Sequence, residues 1–189
     1  AGNLINGSET KAAAKNFSIH YTNDFQDGKC RLTGWQEGDP GRIEYDFSLT
    51  RLSKPCVVSI PFADPAVRHR PLYSQKDFFR CSGWLKFNGE TFHATAASTA
   101  IVDDHKGYYP RRAHYDWVTT MGVHESDGEK KWFAFNLTRN QSVDQEKYNE
   151  NLIWLENETS LLPPIVFKRS IPTIDFKDYA LWEVKDEHG

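Results

Sequence analysis

Apolar and polar positions alternate with a period of two along most of this chain. That spacing sends successive side chains to opposite faces of a strand. Between Asn16 and Thr22 the residues Phe17, Ile19 and Tyr21 share one face. From Arg42 to Thr50 the alternation runs through Ile43, Tyr45, Phe47 and Leu49, the clearest strand in the chain. Cys30 to Trp35 and Val57 to Ile60 predict two shorter strands. Asn88-Gly89 is a strong two-residue turn signal and predicts a hairpin of Phe78–Phe87 with Glu90–Ser98. Ser126-Asp127-Gly128 predicts a second, pairing Tyr115–Val123 with Lys131–Leu137. Asn151–Leu155, Ile165–Lys168 and Ala180–Val184 complete the strands, and Pro61 to Lys76 reads as a long connection rich in Pro, Arg and His. Helical spacing is confined to Glu9–Lys15 and Asp144–Tyr148. The expectation is an all-β fold, an antiparallel barrel or sandwich. Residues 1–15 form a flexible or short helical leader, and 16–189 a single β domain. A barrel of about eight strands encloses one small ligand, whereas a sandwich fills that space with side chains; the pattern leaves both open.

Composition narrows the partners. Of 189 residues, 14 % are aromatic, which favours pleated faces over helices. The net charge of −3 comes without a run of like charge, so neither nucleic acid nor an acidic membrane is expected as a partner. No apolar stretch approaches the ~20 residues of a membrane span. Cys30, Cys56 and Cys81 are odd in number and contain no C-x-x-C pair, which predicts free thiols rather than a disulfide scaffold or zinc site. That points to the cytoplasm. Asn6, Asn16, Asn136, Asn140 and Asn157 each open an N-x-S/T pattern, which leaves a secreted origin open.

Candidate chemistry concentrates in Val102 to Trp117, sixteen residues with three carboxylates, two histidines, two arginines, three tyrosines and a tryptophan. Burying so many polar groups is costly unless each finds a partner, so the segment is either a solvated loop or converges on a site. On a strand Asp104 and its neighbour His105 point to opposite faces, while Asp103 shares a face with His105. A carboxylate beside a histidine raises its pKa and suits it to general acid work. Protonating an alkene also needs aromatic faces, which Tyr108, Tyr109, Tyr115 and Trp117 offer. The bland alternative makes Asp104 a turn cap at Gly107 and His105 a structural hydrogen bond. One of Arg111 and Arg112 could pair with Asp116 or Glu150, or hold a ligand carboxylate. Asn136, Glu150, Asn151 and Trp154 are polar groups in apolar strands, and Tyr73, Gln75 and Lys76 precede a strand where they could line the same mouth. His105, His114, Asp104 and Asp116 match no standard metal spacing, so no metal is expected. Without G-x-G-x-x-G, P-loop or G-x-S-x-G, no nucleotide cofactor or serine elbow is indicated.

Asp104-His-Lys-Gly-Tyr108, Arg112, Asp116-Trp117, Phe135-Asn-Leu137 and Glu150-Asn-x-x-Trp154 occur in an order that resembles the family known as domain of unknown function 2804, over roughly residues 40 to 185. The resemblance implies a lipocalin-like (calycin-type) barrel, distantly similar to carotenoid 1,2-hydratases. It also implies that the chain corresponds to the C-terminal half of a longer two-lobed protein. A partner chain, or a second copy in a homo-oligomer, could then complete the barrel.

Three expectations follow. The preferred one is a cavity for a small apolar or amphipathic molecule, with Tyr108, Tyr109, Arg112, His114, Tyr115, Trp117, Asn136, Glu150, Asn151 and Trp154 as ligand-binding residues. The second is a cofactor-free hydratase, isomerase or cyclase, acting on an isoprenoid- or polyketide-like substrate with Asp104, His105 and Asp116 as catalytic groups. The third is a carbohydrate-binding or glycoside-cleaving β-sandwich, which needs paired carboxylates across a groove.

Overall fold

The computed structural model describes residues 8–24, 26–140, 142–169 and 182–186. Fourteen antiparallel strands account for most of them: β1 (Ser8–Ala14), β2 (Phe17–Asp24), β3 (Lys29–Glu37), β4 (Arg42–Arg51), β5 (Cys56–Ile60), β6 (Leu72–Phe87), β7 (Glu90–His93), β8 (Thr99–Lys106), β9 (Asp116–Ser126), β10 (Glu129–Arg139), β11 (Leu152–Leu155), β12 (Glu158–Leu161), β13 (Ile165–Arg169) and β14 (Trp182–Asp186). No helix occurs among the described residues. The all-β expectation therefore holds.

The chain divides into two compact units, residues 1–54 with 77–102, and residues 55–76 with 103–189. In the first, β1, β2, β3, β4 and the later part of β6 form a continuous meander, and β7 returns against β6 as a hairpin. The turn is the expected one: Asn88 and Gly89 both adopt positive φ, which the twist of a two-residue hairpin requires. Cys30, Leu49 and Phe79 form the buried core, with Tyr21, Phe47, Ala100 and Val102 packed around it. Asp77 is fully buried and accepts a hydrogen bond from Arg51 Nε at 2.7 Å.

The expected helix at Glu9–Lys15 is instead strand β1. Ala12 pairs with Ile19 and Thr10 with Tyr21. An alanine-rich stretch this short cannot repay helix nucleation in water, and the adjoining β2 offers a ladder of backbone partners along one edge of β1. Asp144–Tyr148 forms only a single turn, closed by the Tyr148 N–H to the Asp144 carbonyl.

In the second unit, β12, β11, β10 and β9 form a four-stranded sheet, β13 pairs with β14, and β5 pairs with the first residues of β6. The β9–β10 hairpin turns at Asp127 and Gly128, both at positive φ, as expected. β12 was not expected: its turn is built from Glu156 at positive φ and Asn157, without a glycine to announce it. The long connection is also shorter than expected, since β6 begins at Leu72. Ile60, Phe62, Val67 and Leu72 form a buried cluster, and Ala134, Leu152 and Trp154 are fully buried in the four-stranded sheet.

Candidate functional site

Lys76, near the start of β6, is the unexpected centre of the second unit. Its side chain is 2 % exposed, yet it carries an ammonium group. Burying a lone charge is prohibitive, so it must be paired. Its Nζ donates to Asp103 Oδ1 at 2.7 Å and lies 3.3 Å from Glu150 Oε1. His105, two residues beyond Asp103 and so on the same face of β8, completes a ring of four charges. Its Nε2 donates to Asp103 Oδ1 at 2.8 Å and lies 3.6 Å from Glu150 Oε1. Its Nδ1 is hydrogen-bonded to the Tyr109 hydroxyl.

The electrostatics follow from this ring. The hydrogen bond to Asp103, then the nearby Glu150 carboxylate, outweigh partial burial and raise the His105 pKa to about 9. His105 is therefore an imidazolium at neutral pH. Burial by itself would lift the Asp103 carboxyl, but the hydrogen bond from His105 and the charge on Lys76 hold it below its ordinary range. Glu150 is likewise held low: burial opposes, and His105 and Lys76 prevail. Tyr109 is pushed up to about 12, first by burial and then by the Glu150 and Asp103 charges, so its hydroxyl stays neutral.

Glu150 is fixed by its neighbours. Asn136, buried on β10, donates from Nδ2 to the Glu150 carbonyl at 2.8 Å and accepts the Trp117 Nε1–H at 2.7 Å. Asn151 accepts the Thr138 N–H at 2.7 Å and donates to the Pro163 carbonyl at 3.1 Å. These amides tie down the backbone that carries Glu150.

Above the ring lies a cavity of about 460 Å³. Ile60, Phe62, Leu72, Pro110 and Ala113 give it apolar walls; Lys76, Asp103, His105, Asn136 and Glu150 give it a polar side; Tyr109, Arg111, His114, Tyr115 and Trp117 also line it. That size suits a drug-sized molecule. Of the residues expected from sequence, His105, Tyr109, His114, Tyr115, Trp117, Asn136 and Glu150 line the cavity. Asp104, Tyr108, Arg112, Asp116, Asn151 and Trp154 do not. The carboxylate on His105 is Asp103, not Asp104. Asp116 pairs with Arg139, not Arg111 or Arg112. Tyr108 lies under the Arg70 guanidinium, 4.4 Å from its ring centre. Phe62 and Leu72 had little signal, because the Pro61–Lys76 segment reads as a connection; Ile60 was expected only as a strand residue, and Lys76 only as a residue at the mouth.

Among the described residues, no three His, Cys, Asp or Glu side chains are arranged to hold a metal ion, and no helix is long and apolar enough to cross a membrane. Cys30, Cys56 and Cys81 form no disulfide with one another.

Two comparisons with known proteins find nothing: no curated protein and no solved structure matches the chain. The third matches residues 3–189, nearly the whole chain, to the family described as Domain of unknown function (DUF2804).

Proposed function

For a chain that belongs to the DUF2804 family, whose description assigns no activity, we propose that the second unit binds a small amphipathic molecule in the cavity over Lys76 and His105. The ligand's apolar body packs against Ile60, Phe62 and Leu72, and Trp117 covers its flank. One oxygen acceptor, a carbonyl or hydroxyl, meets the Tyr109 hydroxyl. The observation that carries this reading is the hydrogen bond between His105 and Tyr109. A protonated imidazole donates from both nitrogens, so Tyr109 accepts from His105 and its own O–H is left to donate elsewhere. Placed at the cavity wall, that O–H selects an acceptor.

Native mass spectrometry of the purified protein, followed by organic extraction, tests this. The expected result is a stoichiometric apolar or amphipathic molecule, or micromolar uptake of a fluorescent amphiphile that Ala113→Trp, which plugs the cavity, abolishes. A clean mass with no amphiphile uptake, or uptake indifferent to Ala113→Trp, overturns it.

The same hydrogen bond supports a second reading, a cofactor-free hydratase, isomerase or cyclase. Tyr109 would pass its O–H proton to one carbon of a substrate double bond and take one from His105 Nδ1. Water or the loss of a neighbouring C–H proton then quenches the cation, and the proton released returns to the imidazole, whose charged form Asp103 stabilises. Turnover would fall above pH about 9. His105→Gln would then abolish turnover while leaving binding within a few-fold. Glycoside cleavage is less well supported: it needs one protonated carboxyl, whereas Asp103 and Glu150 are both held ionised by the same two cations.

A further inference from the structure

The mouth of the cavity carries a charge that the chain as a whole does not. Two segments separated in sequence meet there. Gly107 is packed so closely on Pro71 and Leu72 that a Cβ would lie 2.6 Å from the Pro71 carbonyl oxygen. Arg70 covers the Tyr108 ring, and the Phe62 and Tyr109 rings lie 5.9 Å apart. Residues 61–71 bring Arg68 and Arg70, and residues 106–115 bring Lys106, Arg111 and Arg112. The only acid in either segment is Asp64, which accepts the Ala66 N–H at 2.9 Å. These two segments thus carry five cations to one acid in a chain of net charge −3, and one of the five, Arg111, lines the cavity itself. No run of like charge reveals this in sequence, because the two segments lie about thirty-five residues apart.

The same rim is aromatic and solvent-facing. Tyr108, Tyr109, Tyr115 and Trp117 are between 49 and 63 % exposed. Rings with one apolar body and one polar tip, interleaved with arginines, are the composition of a surface that lies in the headgroup layer of a bilayer. Single-stranded nucleic acid also takes arginine and aromatic rings, but by stacking on free ring faces. Here Tyr108 is already covered by Arg70 and Tyr109 is tied to His105 and tilted on Phe62. The apolar cavity walls open among these residues, which gives a bilayer-borne amphiphile a path from lipid to pocket that leaves no apolar surface in water.

We infer that this cationic, aromatic mouth docks on an anionic lipid bilayer, and that the amphiphile enters the cavity from there. The inference rests on the ligand-binding reading for its purpose but not for its test. The full chain is co-sedimented with vesicles of phosphatidylcholine alone and with about one-third phosphatidylserine added, at about 0.05 and about 0.5 M salt. The expected result is retention on the anionic vesicles only, reversed by salt. Since each cation near such a surface contributes severalfold to binding, Arg68→Glu with Arg70→Glu and Arg112→Glu lowers partitioning at least about tenfold. Uptake of a soluble fluorescent amphiphile by that variant stays within about twofold of the parent. Should the triple variant fail to fold, Arg112→Glu alone still lowers partitioning about threefold or more. Equal retention on neutral vesicles, no effect of the arginine substitutions, or binding of a single-stranded oligonucleotide without binding of anionic vesicles overturns the inference. Vesicle binding without amphiphile uptake leaves the docking surface standing and removes the ligand reading; the converse result removes the docking surface alone.

Discussion

His105 sets how the pocket responds to pH. Its pKa is raised in the folded chain, from an ordinary 6.5 to about 9. The native state therefore holds the proton more tightly than the unfolded state. The resulting stabilisation is fully present below pH 6.5 and is lost as pH climbs through 9. Asp103 and Glu150 work the other way: their lowered pKa values contribute above the ordinary range of carboxylates and are lost in acid. Urea titrations of the parent and His105→Gln should thus differ most near pH 6, with the gap closing between pH 7 and 10; a constant gap would mean that His105 is not charged in the fold. Tyr109→Phe removes the donor to the ligand and one partner of His105, so it should weaken amphiphile affinity about tenfold, the size of one hydrogen bond, with little loss of stability. The histidine and its tyrosine were legible in sequence, because titratable and aromatic residues crowd one stretch. The correct carboxylate was less so. Period-two geometry puts Asp103 on the His105 face, yet adjacency drew attention to Asp104. Lys76 could only be marked as lining a mouth, since nothing local says that a lysine among Ser74, Gln75 and Asp77 will be buried.

At the scale of the element, the site depends on backbone features that hold it in register. Gly107 follows β8 at φ +151°, where an added Cβ would lie 2.6 Å from the Pro71 carbonyl oxygen and 2.7 Å from the Leu72 Cα. Gly107→Ala must push backbone away from backbone, and should destabilise the chain by roughly 2 kcal/mol or more and loosen the Tyr109 loop; thermal unfolding with a pocket-bound fluorophore would report both. Asn136 is a side-chain splice between β9, β10 and the Glu150 carbonyl. Asn136→Ala leaves the Trp117 indole N–H and that carbonyl unpartnered, at a cost of about 1–3 kcal/mol. Asn136→Asp keeps an acceptor for Trp117 but loses the donor to Glu150. It should separate stability, partly rescued, from amphiphile affinity, not rescued. Elements with marked turns were readable: Asn88-Gly89 and Asp127-Gly128 place two hairpins within a few residues. β1 and β12 were not, since alanine favours helix locally and Glu156-Asn157 is an uncommon way to make a tight turn. In both, pairing with a neighbouring strand decides the conformation, and that is tertiary information.

For the molecule as a whole, the second unit is assembled from two stretches of chain, with residues 77–102 belonging to the first. The charged ring spans that interruption, from Lys76 on one stretch to Asp103, His105 and Glu150 on the other. Timing follows from this. The meander of β2, β3 and β4 joins neighbours in sequence and closes small loops, whereas Lys76 waits about seventy residues for Glu150. Closing the larger loop costs more entropy before any contact rewards it. In refolding, amide protection in Phe17–Arg51 should precede recovery of amphiphile uptake, and the lag should lengthen in Glu150→Gln; simultaneous recovery would speak against this order. During synthesis the same geometry leaves a bare lysine beside Ile60, Phe62 and Leu72 until its carboxylates arrive. A charge in that position favours hydration of the half-built apolar wall over contact with other chains.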